Sequence, residues 1–242
     1  MPHGSEPCLL APAPRRRRAA RHARTLPFTA DSPYKALMRQ PYPLAHHLLC
    51  TLPLLALLAI STVCLGTGDE VTAYWRAWRQ ANPDTANIVQ VLTDWGNPAL
   101  YAVYGALFWR ARRRHDPRTV RFVLTYVVVQ LLISFLLVRV IKITVGRTRP
   151  GVAGPWVPFS FDGPHNSMPS GHTAEIAGAC PPLAMRWKRT ALSLALGGYV
   201  AAVGYSRVLL GQHHVSDILA GLLLGSLAAF IIHRITNRTA PL

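Results

Sequence analysis

Three short blocks of the sequence combine cations, histidines and one carboxylate, and each block begins or ends an apolar run. They are KITVGRTRP at residues 142–150, PSGH at 169–172 and SRVLLGQHHVSD at 206–217. Lysine and arginine side chains bring only hydrogen-bond donors, which stabilise the charge on the oxygens of a phosphoryl group during transfer. Ser170 and Gly171 begin a helix, whose free backbone N–H groups favour an anion. The blocks therefore predict a site that handles phosphate.

The third block also offers a nucleophile with an orienting partner. His213 and Asp217 are four residues apart, so on a helix the carboxylate can reach the imidazole. The carboxylate would hold Nδ1–H and leave Nε2 free to attack phosphorus, while His172 would protonate the leaving oxygen. His214 lies three residues from Asp217 and is a competing partner. The spacing alone does not decide between the two histidines.

A metal site is the alternative chemistry for His213. The sequence has no HExxH motif, no second acidic cluster and no Asp-rich motif that would complete such a site. Structural and catalytic metal sites need several such ligands together. We therefore expect neither a metal ion nor another cofactor.

The apolar runs predict an all-α, polytopic membrane protein. Half of the 242 residues are hydrophobic, and several runs reach the roughly 17 to 25 residues that a membrane-spanning helix needs. We predict a bundle of six transmembrane helices. Four spans are clear, at 44–65, 122–141, 191–210 and 215–232, and two are weaker, at 97–111 and 170–187. The last of these carries Glu175 and two adjacent prolines.

The positions of the basic residues indicate membrane topology and argue against a nucleic-acid partner, despite a net charge of +16. With a cytoplasmic amino terminus, six spans place 19 of the 26 lysines and arginines on the cytoplasmic side. The positive-inside rule therefore predicts cytoplasmic termini. Four of the six cations on the outer side belong to the first and third blocks, which are Lys142, Arg147, Arg149 and Arg207.

The chain divides into three predicted segments. Residues 1–42 are rich in Arg and Pro without apolar periodicity, which indicates a disordered cytoplasmic tail with Met38 as a second candidate start. Its run of four arginines either attracts anionic lipid or only sets topology. Residues 43–235 form the six-span domain, and 236–242 form a cytoplasmic tail. Apolar residues at helical spacing from Val71 to Trp95 predict interfacial helices between the first two spans.

The predicted topology brings the three blocks together. Thirty-three residues separate His172 from Ser206, enough for one helix inward, a tight turn and one helix back. The third block thus returns to the face of the second. The first block closes its own span and is joined to the second by an outer loop. All three blocks should meet at the outer surface.

The blocks, in their order and spacing, closely resemble the type 2 phosphatidic acid phosphatase family, whose pattern is KxxxxxxRP, PSGH and SRxxxxxHxxxD. Lys142 with Arg149 and Pro150, then 169–172, then Ser206 with the rest of its block match this pattern without a gap. The resemblance covers residues 43–235. The soluble vanadate-dependent haloperoxidases share the pattern, but six spans disfavour that activity.

The resemblance implies hydrolysis of a lipid phosphate or pyrophosphate through a phosphohistidine, without metal. It selects His213 over His214 as the nucleophile, with Asp217 as its orienting partner and His172 as the acid. The residues implied to hold the phosphate are Lys142, Arg149, Ser170, Gly171 and Arg207.

An outward-facing site implies a lipid phosphate of a bacterial inner membrane, with the site facing the periplasm or the outside. Undecaprenyl pyrophosphate, phosphatidylglycerol phosphate and lipid A phosphate all fit, and the motifs do not separate them or indicate an oligomeric state. A lipid phosphotransferase of the same fold and a non-catalytic protein that binds or transports anionic lipid stay open. Arg147 is either a contact to a second phosphate or sugar, or a surface charge.

Overall fold

The computed structural model describes residues 43–66 and 68–237. The predicted tail at 1–42 and residues 238–242 lie outside this range, so the assignments of both tails stay predictions. Within the described residues the chain is helical and contains no β-strand. This confirms the all-α prediction.

The helices follow one another with short connections, except for one long loop that joins the first block to the second. In chain order they are α1 (Pro43–Leu65), α2 (Asp69–Ala81), α3 (Pro83–Arg113), α4 (Pro117–Gln130), the π-helical segment Leu131–Leu137, α5 (Val138–Val145), the 3-10 turn Gly163–His165, α6 (Gly171–Trp187), α7 (Thr190–Leu209) and α8 (Val215–Asn237).

Four of the described helical segments are long and apolar enough to cross a membrane. They are α1, the continuous stretch Pro117–Val145 that joins α4 to α5, α7 and α8. These segments coincide with the four clear predicted spans and make the chain a multi-pass membrane protein. The two weaker predicted spans fall on α3 and α6, which are not among the four. The count of six spans stays a prediction.

Helix α6 lies at the centre of the bundle, and this position explains its weak hydropathy signal. It packs against α1, α7 and α8, and every residue from Ile176 to Met185 is buried. A helix enclosed by other helices uses small residues for close packing and does not need a lipid-facing surface. The adjacent prolines Pro181 and Pro182 lie within α6 without ending it.

The segment predicted to form interfacial helices folds as α2 and the first half of α3. In α2, Val71 is buried and the Trp75 ring meets Tyr205 edge-on with centroids 5.9 Å apart. Residues 88–95 belong to α3, which continues without a break to Arg113. The second interfacial helix and the second predicted span are therefore one helix, and the location of α2 at the membrane surface stays a prediction.

Two glycines allow α8 to approach α6 closely. A Cβ atom on Gly221 would lie 2.5 Å from the carbonyl oxygen of Ser170, and one on Gly225 would lie 2.5 Å from that of Ala174. Contacts with backbone atoms are not relieved by rotating a side chain. The close approach also brings the start of α6 to the start of α8, where the Ser170 N–H donates to the Asp217 carbonyl at 2.9 Å.

We expect Gly225→Ala to destabilise the bundle by about 1 to 3 kcal/mol because the added methyl group forces α6 and α8 apart. Gly198→Ala on α7 is the matched control, since nothing lies within 4 Å of its added Cβ. Alanine is the better helix former, so the control should keep or slightly raise the midpoint of thermal unfolding. Equal midpoints for the two variants in detergent would contradict the packing role.

Candidate active site

The three blocks meet at one end of the bundle. Lys142 lies on the last turn of α5, PSGH leads into α6, and the third block joins α7 to α8. Gly211 makes the last connection possible, because it has a φ of 68° that an L side chain rarely adopts. The carbonyl of Arg207 accepts the N–H groups of Gln212 at 3.0 Å and His213 at 3.2 Å. This turn places His213 beside Arg207.

The carboxylate of Asp217 is fully buried and connects the blocks. Its Oδ1 accepts a hydrogen bond from Arg147 Nη1 at 2.6 Å. Its Oδ2 accepts one from Ser167 Oγ at 2.6 Å and one from the backbone N–H of His214 at 2.9 Å. Together with the Ser170 contact, one residue thereby binds the loop of the first block, the approach to PSGH and the turn of the third block.

His213 approaches this carboxylate without a hydrogen bond. Its Nδ1 lies 3.7 Å from Asp217 Oδ2, beyond hydrogen-bonding distance. The predicted i, i+4 geometry is absent because His213 lies in the turn before α8 and not on the helix. Its ring is buried, and Nδ1 has no hydrogen-bond partner in the part of the chain that the structure describes.

His214 is the competing partner, but it contacts the Asp217 carboxylate through its backbone N–H and not through its ring. Its Nε2 lies 3.2 Å from the carbonyl oxygen of Thr148. The ring is thus occupied by the loop of the first block. Of the two histidines, only His213 has its ring nitrogen directed at the carboxylate.

The environment of His213 keeps its imidazole neutral. Burial lowers the pKa of His213 from 6.5 to about 4, and the positive charge of Lys142 acts in the same direction, while Asp217 opposes both. A neutral imidazole has the free electron pair that a nucleophile needs.

The guanidinium of Arg207 is held in a buried polar network. Nη1 donates to Thr93 Oγ1 at 3.2 Å, and Nη2 donates to Gln212 Oε1. Gln212 in turn donates to Gln90 Oε1 at 3.2 Å. Helix α3 therefore supplies part of the site, a role that was not predicted from the sequence. Polar residues 90, 93 and 97 share one face of α3, and that spacing is the signal that indicates this role.

Two further predicted phosphate ligands hold the loop between the first and second blocks. Lys142 Nζ donates to the carbonyl oxygen of Asn166 at 2.7 Å, and Arg149 Nε donates to that of Gly163 at 3.1 Å. Neither contact uses all the donors of its cation, so each retains N–H groups for an anion.

Helix α6 begins at the site as predicted. Ser170 caps it, with Oγ accepting the N–H of Thr173 at 3.4 Å. A Cβ on Gly171 would come within 4.0 Å of Lys142 Cε, so the first turn of the helix lies against that lysine. His172 follows on the same turn and is partly exposed.

Glu175 serves as a packing contact in this structure. Its Oε2 accepts a hydrogen bond from Asn97 Nδ2 at 2.5 Å, and the same amide lies 3.4 Å from the carbonyl oxygen of His172. Glu175 thus joins α6 to α3 near His172.

The structure brings all eight predicted site residues to one end of the bundle. Their individual roles stay predictions. Ser167, Thr93 and Gln212 were not predicted from the sequence. Arg147, predicted as a contact to a second phosphate or sugar or as a surface charge, donates to Asp217. Arg147 and Ser167 have no local pattern that indicates a carboxylate partner 70 and 50 residues away. Only the folded arrangement reveals these contacts.

The part of the chain that contains the three blocks matches a known family, and two known proteins resemble part of the chain. Residues 122–240 match the family model of the PAP2 superfamily. A lipid A 1-phosphatase of Rhizobium etli is 28% identical over 120 residues, which are 48% of this chain and 51% of that protein. A phosphatidylglycerophosphatase B of Bacillus subtilis is 35% identical over 106 residues, which are 40% of this chain and 50% of that protein.

The chain spans about half the length of the curated relatives it matches. It also resembles the crystal structure of a transmembrane PAP2 type phosphatidylglycerolphosphate phosphatase from Bacillus subtilis. That similarity covers 81% of this chain and 96% of the other, with 23% identity and a TM-score of 0.46.

The neutral state of His213 makes the folded protein sensitive to acid. An unfolded histidine takes up a proton below pH 6.5, whereas folded His213 does so only near pH 4, so protonation favours the unfolded chain between these values. The contribution of neutral His213 to the free energy of unfolding is fully present above pH 6.5 and decreases as the pH falls toward 4. About 2 kcal/mol is lost by about pH 5.

We expect His213→Gln to remove this part of the acid sensitivity. The fall in the thermal unfolding midpoint between about pH 7 and about pH 5 should be smaller in the variant than in the wild type. His214→Gln leaves His213 in place and should keep the wild-type fall. The same fall in all three proteins would show that His213 does not stay neutral in the fold.

Proposed function

The chain belongs to the PAP2 superfamily, and from this premise we propose that it is an integral membrane phosphatase that hydrolyses a lipid phosphate or pyrophosphate. The observation that carries the proposal is the convergence of two histidines, one buried carboxylate and three cations at the start of α6. This arrangement provides a nucleophile, an acid and a cradle for an anion in one place. Binding alone would require only the cations.

In the proposed reaction, Nε2 of His213 attacks phosphorus and the bond from phosphorus to the lipid oxygen breaks. His172, whose protonated form the negative charge of the bound phosphate would stabilise, gives its proton to that oxygen as it leaves. The product is a phosphohistidine, and a water molecule deprotonated by His172 then attacks the phosphorus. This second step breaks the N–P bond, releases phosphate and restores neutral His213.

The charge that develops on the phosphoryl oxygens would be stabilised by donors from three elements. Lys142 and Arg149 come from the first block, Arg207 comes from the end of α7, and the first turn of α6 adds the N–H of Gly171. Asp217 would hold the Nδ1–H tautomer of His213. The distance between His213 Nδ1 and Asp217 Oδ2 is 3.7 Å, and a movement of about 1 Å would bring the two atoms within hydrogen-bonding distance.

The composition of the site supports a mechanism without metal. Arg147 contacts the buried carboxylate of Asp217, which already accepts three hydrogen bonds, and Lys142 and Arg149 add positive charge near it. A divalent cation at this position would meet positive charge and no unused carboxylate. The same cations neutralise phosphate charge, which is the role that a metal ion has in other phosphoryl-transfer enzymes.

We further propose that α3 and α6 complete six spans and that the site faces the outside of a bacterial inner membrane. Helix α6 has 17 residues and is about 25 Å long, near the lower limit for a span. It runs from the site to the basic residues 186–189, and α3 ends in the basic residues 110–114. These clusters support a cytoplasmic location for the end opposite the site.

The proposed substrates are lipid phosphates with an accessible phosphate group. The relatives named for lipid A 1-phosphate and phosphatidylglycerophosphate support two of them, and undecaprenyl pyrophosphate has the same chemistry at its terminal phosphate. The outer loop beside the site exposes Trp156, Phe159 and Phe161. Such side chains favour the membrane interface, so we propose that this loop contacts the lipid part of the substrate.

We expect the detergent-purified protein to release phosphate from at least one of these three lipids in the presence of EDTA. His213→Ala should lower turnover by roughly a thousandfold or more and leave lipid binding nearly unchanged, while Arg207→Ala should weaken both. His214→Ala is the matched control, because its ring contacts the Thr148 carbonyl, and it should keep turnover within about threefold.

The outcomes of this assay separate the alternatives. Activity that EDTA abolishes and a divalent ion restores would contradict the metal-free mechanism. Turnover only with an added sugar or lipid hydroxyl, without free phosphate, would identify a phosphotransferase. Lipid binding without turnover under either condition would identify a binding or transport protein.

The contact between Ser167 and Asp217 gives a second test. Ser167→Ala removes a buried hydrogen bond to the carboxylate, which should lower kcat by about tenfold with little change in KM, because the loss concerns the orientation of His213. Ser216→Ala removes an exposed hydroxyl that binds Arg147 without touching Asp217. This control should retain wild-type kcat, and an equal loss in both variants would contradict the positioning role of Ser167.

A further inference from the structure

The end of the bundle opposite the candidate site contains a basic cavity that the proposed mechanism does not use. Its volume is about 720 Å³, within the range of ligand-binding pockets. None of the described residues that line it is acidic, and its cations form no ion pair with any described residue. The basic lining residues are Arg118, Arg121, Arg186, Lys188 and His233.

Two of these cations are fixed in position and still have donors to offer. Arg186 Nη2 donates to Thr119 Oγ1 at 2.6 Å, and its guanidinium lies over the Phe122 ring at 4.8 Å. Arg121 Nη2 donates to the carbonyl oxygen of Ile235 at 2.7 Å. A guanidinium has five N–H groups, so most of them remain available to an anion. The positive-inside rule accounts for the number of cations here but not for their placement around a cavity.

An apolar groove adjoins the basic cavity, and Arg121 lines both. The groove also has a volume of about 720 Å³ and includes Leu124 and Val128, which are exposed on a membrane-spanning segment. Its one acidic lining residue, Asp116, accepts hydrogen bonds from Thr119 N at 3.1 Å and Thr119 Oγ1 at 2.6 Å. The carboxylate of Asp116 is therefore engaged by the helix that it caps.

We propose that the basic cavity and the apolar groove form one binding site for an anionic phospholipid. The phosphate of the headgroup lies among the cations, and an acyl chain lies along Leu124 and Val128. Basic pockets between membrane helices bind anionic headgroups in this way. A groove that opens toward the hydrocarbon favours a lipid over free phosphate, which would use only the basic part. The site is independent of the proposed enzymatic activity.

The test uses the full-length protein in a neutral detergent and follows thermal unfolding against ligand concentration. The probes are dihexanoylphosphatidylglycerol, dihexanoylphosphatidylcholine and inorganic phosphate. The anionic lipid should raise the unfolding midpoint of the wild type, and the other two should raise it less at the same concentration. Arg121→Gln and Lys188→Gln should each weaken the response about fivefold, because each loses one cation beside the headgroup.

Arg113→Gln is the matched control at the same end of the bundle. Arg113 lies over the Trp109 ring at 4.4 Å and lines neither cavity, so this variant should respond like the wild type. Arg207→Gln in the candidate active site should also keep the response. If Arg121→Gln does not fold, the exposed residue Lys188 still provides the test.

Four results would overturn the proposal. They are an equal response to phosphatidylcholine, an equal loss in Arg113→Gln, a loss confined to Arg207→Gln, and an equal response to inorganic phosphate. The last result would assign a phosphate site without a lipid, and the third would assign the binding to the active site.

Discussion

The buried carboxylate of Asp217 is the constraint on which the site depends. Removing a charge from water costs several kcal/mol unless charged or polar partners replace the lost solvent. Three donors do so here, from Arg147, Ser167 and the backbone of His214. Arg147 and Ser167 lie near the two ends of the long loop between α5 and α6, and His214 lies in the turn before α8. One unfavourable burial thus requires this loop and this turn to adopt fixed positions, and the loop also carries Arg149, a predicted phosphate ligand.

The same constraint limits what Asp217 can do for His213. A carboxylate has about four acceptor positions, and three of them are used here. One position is left for the imidazole of His213, whose Nδ1 lies 3.7 Å from Oδ2. The arrangement holds the ring of His213 close to Asp217, its predicted orienting partner, while burial keeps the imidazole neutral. The close approach of α6 and α8 is needed as well, because the Ser170 N–H reaches the Asp217 carbonyl only when Gly221 has no side chain.

The sequence predicts the features that local patterns determine. Long apolar runs identify the four spans, and ordered motifs identify residues that meet at one end of the bundle. Prediction from the sequence is weaker where packing against other helices, and not contact with lipid, determines which residues a helix carries. Enclosure by other helices explains the composition of α6. The apolar spacing in the first half of α3 suggested an interfacial helix, but this part of α3 turns polar residues toward Arg207. The partners of Asp217 could not be predicted, because sequence distance carries no information about which donor reaches a buried carboxylate.

The two ends of the bundle show how the same residue types produce different environments. At the site end, Lys142 and Arg149 donate to loop carbonyls while Asp217 balances part of the charge. At the opposite end, the cations of the basic cavity have no acidic lining residue among those described. A cation that is paired with a carboxylate is held in a fixed position by it. Cations that lie together without a carboxylate produce a positive potential, which favours the binding of an anion. Charge balance within each cluster, and not the number of cations, therefore distinguishes the candidate active site from the proposed lipid site.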